Sequence, residues 1–200
     1  MLSRPLHLAA GFAVWLAALA VSSAALHYYS SVEGGAVAPQ AEAIAFLNRY
    51  RQPDRALVAM ALHPNCSCSA ASLAELGDLL ARSRGACDAL LLEFQPAKDS
   101  RDWPLAKTRE LGGVQVRAIA DPDGKFARQL GALTSGHVVF VDPQGAIRFR
   151  GGITVSRGHR GRAPGQDAIL ATLGGQPAAL ASTPVYGCAL LPECGADAAP

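Results

Sequence analysis

A long uncharged stretch near the amino terminus limits most strongly what this chain can fold into. From Pro5 to Val32 the sequence contains no Asp, Glu, Lys or Arg, and residues 8–26 read LAAGFAVWLAALAVSSAAL. A helix needs roughly 20 apolar residues to cross the hydrocarbon core of a bilayer, so this stretch predicts one transmembrane helix. Arg4 precedes it, which favours a cytoplasmic amino terminus and an exported remainder.

The same stretch could instead be a signal peptide that is removed after export. Ala18-Leu19-Ala20 is a suitable peptidase site. We favour an uncleaved signal-anchor over residues 1–33, because the apolar run continues beyond that site. Both interpretations export the rest of the chain.

The composition excludes two classes of protein. Half of the residues are hydrophobic and 17% are charged, which is too apolar for a disordered chain. The formal net charge is +2 and there is no dense run of Lys and Arg, so nucleic acid is not an expected partner.

Strand-like and helix-like segments alternate along the exported part. We expect a linker at 34–40, a folded domain at 41–176 and a cysteine-containing tail at 177–200. Predicted helices lie at 41–50, 69–82, 103–111, 125–130 and 167–173, and predicted strands at 55–62, 88–94, 114–120, 137–142 and 146–150. Alternation of this kind implies a parallel sheet with helices on its faces, to which the last two strands add an antiparallel hairpin.

Two closely spaced cysteines carry the clearest chemical signal. In LHPNCSCSAASLAEL, Cys66 and Cys68 lie between a buried strand and the start of a helix. The free N–H groups and partial positive charge of a helix amino terminus stabilise a thiolate, which is the reactive form of cysteine. Cys66 is the better candidate nucleophile because it is nearer the loop, and Cys68 is then the resolving thiol.

Together with the later hairpin VVFVDPQGAIRF, this motif resembles the thioredoxin-like proteins over residues 50–175. It is most similar to membrane-anchored thiol–disulfide oxidoreductases of the bacterial periplasm, and more narrowly to the anchored group labelled RedB. The resemblance implies a three-layer α/β/α sandwich with a mixed sheet. It also implies an inner-membrane protein with a periplasmic domain, protein thiols and disulfides as substrates, a redox partner that recycles the pair, and no dissociable cofactor.

The cysteine spacing departs from the usual Cys-x-x-Cys of that family. Side chains two positions apart on a helix point away from each other, so a Cys66–Cys68 disulfide needs non-helical backbone and forms a strained ring. Strain makes a disulfide easier to reduce, which favours oxidase or isomerase activity. Cys66 could also act alone.

The loop before the hairpin departs as well. The family places there a cis-proline that faces the cysteines and holds the substrate chain, whereas Gly136 stands near that position here. His137 follows it and is expected to approach the cysteines, and His63 precedes Cys66 by three residues. Either histidine could assist proton transfer. Two thiolates with one or both imidazoles could alternatively bind copper(I), as in copper-handling proteins of this fold.

Three further cysteines remain. Cys87 opens an apolar strand, which predicts a buried, unreactive thiol. Cys188 and Cys194 most simply pair with each other within the tail. In the alternative, Cys188 reaches the active site as a third exchange partner.

A loop rich in glycine and arginine spans Gly151 to Gly165. Its arginines could bind a carboxylate or phosphate group. It has no nucleotide-binding ending, so a solvated loop is the simpler expectation. The basic residues of this loop are Arg157, His159, Arg160 and Arg162.

Overall fold

The computed structural model describes residues 3–63, 66–95, 108–177 and 179–190. The chain divides into two compact units, Met1–Val32 and Glu33–Pro200. The first unit is a single helix, α1, over Ser3–Ser31. Its stretch His7–Ser31 is long and apolar enough for a membrane span, with a mean hydropathy of 1.9, and is the only such helix in the described part of the chain.

The second unit contains four helices and seven strands in the described residues. The helices are α2 (Glu42–Asn48), α3 (Ser67–Arg82), α4 (Lys125–Gln129) and α5 (Pro164–Leu173). The strands are β1 (Ala56–Leu62), β2 (Cys87–Gln95), β3 (Thr108–Leu111), β4 (Val114–Pro122), β5 (His137–Val141), β6 (Ile147–Gly151) and β7 (Ser182–Thr183).

These strands form one mixed sheet in the order β3-β4-β2-β1-β5-β6-β7. β1 pairs in parallel with β2, and β2 with β4. β5 runs antiparallel to β1, and β6 antiparallel to β5. The central order β2-β1-β5-β6, with a helix after β1 and another after β6, is the arrangement that the resemblance implies.

Hydrophobic side chains cover both faces of the sheet. On one face, Val58 and Met60 of β1 pack with leucines of α3 and with Ile169 of α5. On the other face, Leu57 and Ala59 pack with residues of α2 and α4. Because successive side chains of a strand point to opposite faces, the continuous apolar run of β1 serves both cores. The predicted three-layer α/β/α architecture is confirmed.

One predicted helix is wrong. Residues 108–111, expected to end a helix at 103–111, form strand β3, which pairs antiparallel with β4. Gly112 and Gly113 join the two strands with φ of 57° and 77°, the backbone that a two-residue hairpin turn requires. The earlier part of that prediction, residues 103–107, lies outside the described residues.

The segments on either side of the expected domain are attached to it. In the expected linker, the N–H of Val37 donates to the carbonyl of Gly131 at 3.0 Å. In the expected tail, β7 pairs in parallel with β6, and Ala189 forms a bridge with Thr134. Residues of both segments are therefore hydrogen-bonded to the domain.

Candidate active site

The site is built at the amino terminus of α3, where β1 ends. Cys66 is the residue that caps the helix, with extended backbone (φ −89°, ψ 124°), and Cys68 lies in the first turn. Both side chains are buried, with 9% and 7% of their surface exposed. A buried strand precedes this helix, and the helix leucines at positions 76, 79 and 80 pack on the sheet. That packing holds the amino-terminal end of the helix in place.

Cys188 reaches the same place from the carboxy-terminal part of the chain. Its Sγ lies 2.6 Å from Sγ of Cys66, although 122 positions separate the two residues in sequence. The structure therefore places Cys188 as the alternative prediction had it, beside the exchange site. Cys194, with which Cys188 was first expected to pair, lies outside the described residues.

The backbone around Cys188 is fixed from two sides. The N–H of Ser135 donates to the carbonyl of Cys188 at 2.8 Å, and the N–H of Leu190 donates to the carbonyl of Leu133 at 2.8 Å. The guanidinium of Arg157 donates to the carbonyl of Gly187. The position of the third sulfur thus depends on the loop before β5 and on the Gly/Arg-rich loop.

The three sulfurs form one cluster. Sγ of Cys66, Cys68 and Cys188 all lie within 4.8 Å of one another. Within the part of the chain that the structure describes, no histidine belongs to this cluster. The group of side chains that could hold a metal ion here consists of three thiols and includes neither His63 nor His137.

The three thiols differ in acidity. Burial alone would raise the pKa of Cys66, but hydrogen bonds from the Cys188 thiol, from the Cys68 thiol and backbone, and from the Ser69 N–H outweigh it and lower that pKa. Burial, followed by the charge of Cys66, raises the pKa of Cys68. Burial and the hydrogen bond to Cys66 raise the pKa of Cys188 to about 12, against which the charge of Arg157 acts. Cys66 is accordingly the first thiolate.

Hydrogen bonds of two serines connect the loop before β5 to the amino terminus of α3. Ser69 Oγ donates to the carbonyl of His63 at 2.8 Å and lies 2.9 Å from Ser135 Oγ. Ser135 Oγ in turn accepts a hydrogen bond from the N–H of His63 at 3.0 Å. The sequence does not indicate that Ser69 and Ser135 meet, because 66 positions separate them.

Gly136 replaces the expected cis-proline for a structural reason. Its φ is +90°, whereas the ring of proline fixes φ near −65°. Its N–H donates to the carbonyl of Ala61 at 2.8 Å, a bond that proline could not form. A Cβ at this position would lie 2.6 Å from Ser72 Oγ in α3. Only glycine combines this backbone with this close approach.

We expect Gly136→Ala to destabilise the fold by about 2–3 kcal/mol, from the strained backbone and the contact with Ser72 together. Gly113→Ala is the matched control, since it also has positive φ (77°) but nothing within 4 Å of its Cβ. That control should lose only about 1 kcal/mol. Denaturant titration of both variants measures the difference, and equal losses would contradict the close-packing argument.

The two histidines occupy different environments. His137 is 1% exposed, and neither ring nitrogen has a hydrogen-bond partner among the described residues. It pairs with Ala61 and so shares the sheet face opposite α3. The ring of His63 stacks on Phe94, with centroids 5.7 Å apart. His137 is therefore neither solvent-facing nor beside the sulfurs, and burial lowers its pKa to about 4.

Cys87 is confirmed as a buried thiol away from the site. It is 1% exposed, and burial raises its pKa to about 12. It pairs with Ala56 at the start of β1, whereas Cys66 follows the end of that strand. The rise of β1 puts about 20 Å between the two ends.

The arginines of the Gly/Arg-rich loop bind groups of the protein itself. Arg160 pairs with Asp78 of α3 at 2.8 Å, and Arg162 pairs with Asp167 of α5 at 2.9 Å. The backbone N–H of Gly161 donates to Oε1 of the buried Glu75 at 2.9 Å. Much of the loop is exposed to solvent, as expected, and it is also attached to two helices.

Several solved structures resemble the fold of this chain. An uncharacterized conserved protein from Geobacillus kaustophilus is 19% identical, aligns over 81% of this chain and 91% of its own, and has a TM-score of 0.56. A hypothetical protein from Sinorhizobium meliloti 1021 is 14% identical over 80% of this chain and 93% of its own, with a TM-score of 0.54. A secreted Mycobacterium tuberculosis disulfide oxidoreductase aligns over 62% of this chain and 83% of its own, at 14% identity and a TM-score of 0.37. No family model and no curated protein matches the chain.

The fold follows from the topology. The strand order, the antiparallel hairpin β5–β6 and the helix that starts at the cysteines agree with the arrangement implied by the resemblance. The domain that carries Cys66 has the thioredoxin-like fold.

Proposed function

We propose that this chain is a membrane-tethered, extracytoplasmic thiol–disulfide oxidoreductase in which Cys66 exchanges with protein disulfides. The observation that carries the proposal is the hydrogen-bonded thiol cluster, in which Cys66 has a lowered pKa and a second sulfur 2.6 Å away. Disulfide exchange followed by resolution requires a thiolate and a neighbouring thiol.

The exchange begins when the Cys66 thiolate attacks one sulfur of a protein disulfide. A bond forms between that sulfur and Cys66, the substrate S–S bond breaks, and the second substrate sulfur leaves as a thiolate that takes up a proton. A second thiol of the cluster then attacks Cys66 and releases the first substrate sulfur. The substrate gains two electrons, and the protein keeps a disulfide. The reverse sequence oxidises a substrate dithiol.

The cellular setting extends the proposal. The apolar helix His7–Ser31 supports a single-pass anchor in the bacterial inner membrane, with the domain in the periplasm. A membrane or soluble redox partner would recycle the pair. If the functional disulfide joins Cys66 and Cys68, its small ring at the helix cap is strained, and the reaction then runs in the oxidase or isomerase direction.

A redox titration of the full chain in detergent tests the proposal. We expect thiol trapping and peptide mass mapping to find Cys66 in an intramolecular disulfide that opens and closes reversibly. The oxidase or isomerase direction requires a potential at or above about −180 mV, the range of exchange proteins such as protein disulfide isomerase. A Cys66 that stays reduced at every potential would overturn the enzyme proposal.

A second candidate function is copper(I) binding. Three sulfurs within 4.8 Å favour it, because thiolates select soft ions such as copper(I). In that case the ligands would be Cys66, Cys68 and Cys188, and neither His63 nor His137 would be needed.

A further inference from the structure

We infer that Cys188 resolves the mixed disulfides formed on Cys66, so that residues 185–190, called here the tail segment, carry the second half of the redox centre. The inference rests on the proposed function. It replaces Cys68 with a cysteine from the far end of the chain as the partner of Cys66.

The sulfur geometry separates the two candidate partners. Sγ of Cys188 lies 2.6 Å from Sγ of Cys66, and a bonded pair is about 2.05 Å apart, so a small movement suffices to form the bond. Cys68 is two positions from Cys66 and inside the first turn of α3. Sγ of Cys68 also lies within 4.8 Å of Sγ of Cys66, but a bond between residues two positions apart closes a small, strained ring at the start of α3.

An isolated β-bridge and backbone hydrogen bonds dock the tail segment, which holds Cys188 beside the nucleophile. Thr134 forms an antiparallel bridge with Ala189. Cys188 and Leu190 are hydrogen-bonded to the same loop through their backbones, as in the addition of a strand to an exposed edge. Val185 accepts a hydrogen bond from the N–H of Gly34 at 2.8 Å. The docked segment is therefore held at both of its ends.

The chemistry balances without a cofactor. After Cys66 has joined one sulfur of an external disulfide, the Cys188 thiol loses its proton and attacks Sγ of Cys66. The Cys66–Cys188 bond forms, the bond from Cys66 to the external sulfur breaks, and that sulfur leaves and takes up the proton. In sum, one external disulfide and two protein thiols become two external thiols and one protein disulfide.

The surroundings of Cys188 favour its deprotonation more strongly once the mixed disulfide has formed, as this step requires. In the reduced site, burial raises its pKa first, followed by the hydrogen bond to Cys66 and by the charge of Cys66. The last two contributions disappear once Cys66 is bonded to an external sulfur, while the positive charge of Arg157 remains. Cys188 thus becomes a better nucleophile once there is a mixed disulfide to resolve.

Reaction of the reduced full chain in detergent with glutathione disulfide tests the inference. In the wild type we expect a Cys66–Cys188 disulfide by peptide mapping, with little glutathione retained. In Cys188→Ser we expect glutathione to remain on Cys66, with resolution slowed at least about tenfold because the positioned thiol is gone. In Cys68→Ser we expect the Cys66–Cys188 disulfide still to form and glutathione to be released, although loss of the Cys68 thiol changes the rate at which Cys66 first reacts.

Three results would overturn the inference. One is a Cys66–Cys68 disulfide in the wild type. Another is resolution in Cys188→Ser at the wild-type rate. The third is that no variant takes up glutathione on Cys66, and this result alone also rejects the proposed function.

A variant that keeps all the thiols tests the docking separately. A Cβ at Gly187 would lie 2.0 Å from the backbone carbonyl oxygen of Ser135. We therefore expect Gly187→Ala to push the tail segment off the loop and to slow resolution as Cys188→Ser does, while glutathione still joins Cys66. Ala181→Ser, at an exposed position before β7, is the control and should match the wild type. Resolution at the wild-type rate in Gly187→Ala would overturn the inference.

Discussion

Cys66→Ser is expected to lower the rate of thiol–disulfide exchange on the order of a thousandfold or more, because the attacking thiolate is lost. Cys66 is the one sulfur of the cluster whose pKa is lowered, whereas the pKa values of Cys68 and Cys188 are raised. The variant loses the charge of Cys66, but burial, the largest cause that raises the pKa values of Cys68 and Cys188, remains. Neither remaining thiol therefore replaces Cys66 near neutral pH. Reduction of a fluorescent protein disulfide by the full chain measures the effect.

Cys87→Ala is the matched control for this variant. It also removes one buried thiol, but at the opposite end of β1, so exchange should proceed at the wild-type rate. Copper(I) titration of the same proteins separates the two candidate functions. An exchange rate that Cys66→Ser leaves unchanged, combined with loss of stoichiometric copper(I) binding, would reject the oxidoreductase and favour the copper protein.

Acid is expected to destabilise the domain through His137. Burial and the charge of Arg150 lower the pKa of this side chain from 6.5 to about 4. The unfolded chain therefore binds a proton more readily than the folded chain between these values. The contribution of neutral His137 to the free energy of unfolding is fully present above pH 6.5 and is lost as the pH drops towards 4. This pKa shift corresponds to a loss of about 3 kcal/mol in the free energy of unfolding.

Denaturant unfolding of the wild type and of His137→Phe from pH 7 to pH 4 measures this contribution. The variant keeps an aromatic ring in the buried site but cannot take up a proton, so most of the fall in free energy of unfolding should disappear. His159→Gln is the control, since His159 is exposed and the fall should persist there. If His137→Phe loses as much stability in acid as the wild type, another group causes the acid sensitivity.

Much of the fold could be predicted from local patterns. The leucines of α3 recur at helical spacing and pack on the sheet, and the apolar run of β1 is buried along its whole length. Strand β3 was missed because TREL has no strong strand signal. Its conformation depends on pairing with β4 through the turn at Gly112 and Gly113.

The candidate site was only half predictable. Cys66 and Cys68 are adjacent to a strand–helix junction, so their place at a helix amino terminus follows from neighbours in sequence. For His137, the sequence indicated the start of a strand but not which face of the sheet the ring occupies. The register of β5 against β1 decides that, and it turns His137 away from α3.

The amino-acid sequence by itself determined the apolar helix, the alternation of strands and helices, and the position of the first two thiols. Each of these depends on residues within a few positions of one another, through hydrophobic periodicity or helix capping. The tertiary structure alone decided that Cys188 joins them. That contact spans 122 positions and depends on backbone hydrogen bonds between the tail segment and the loop before β5. Backbone groups are the same in every residue, so no local sequence pattern encodes which two segments will pair.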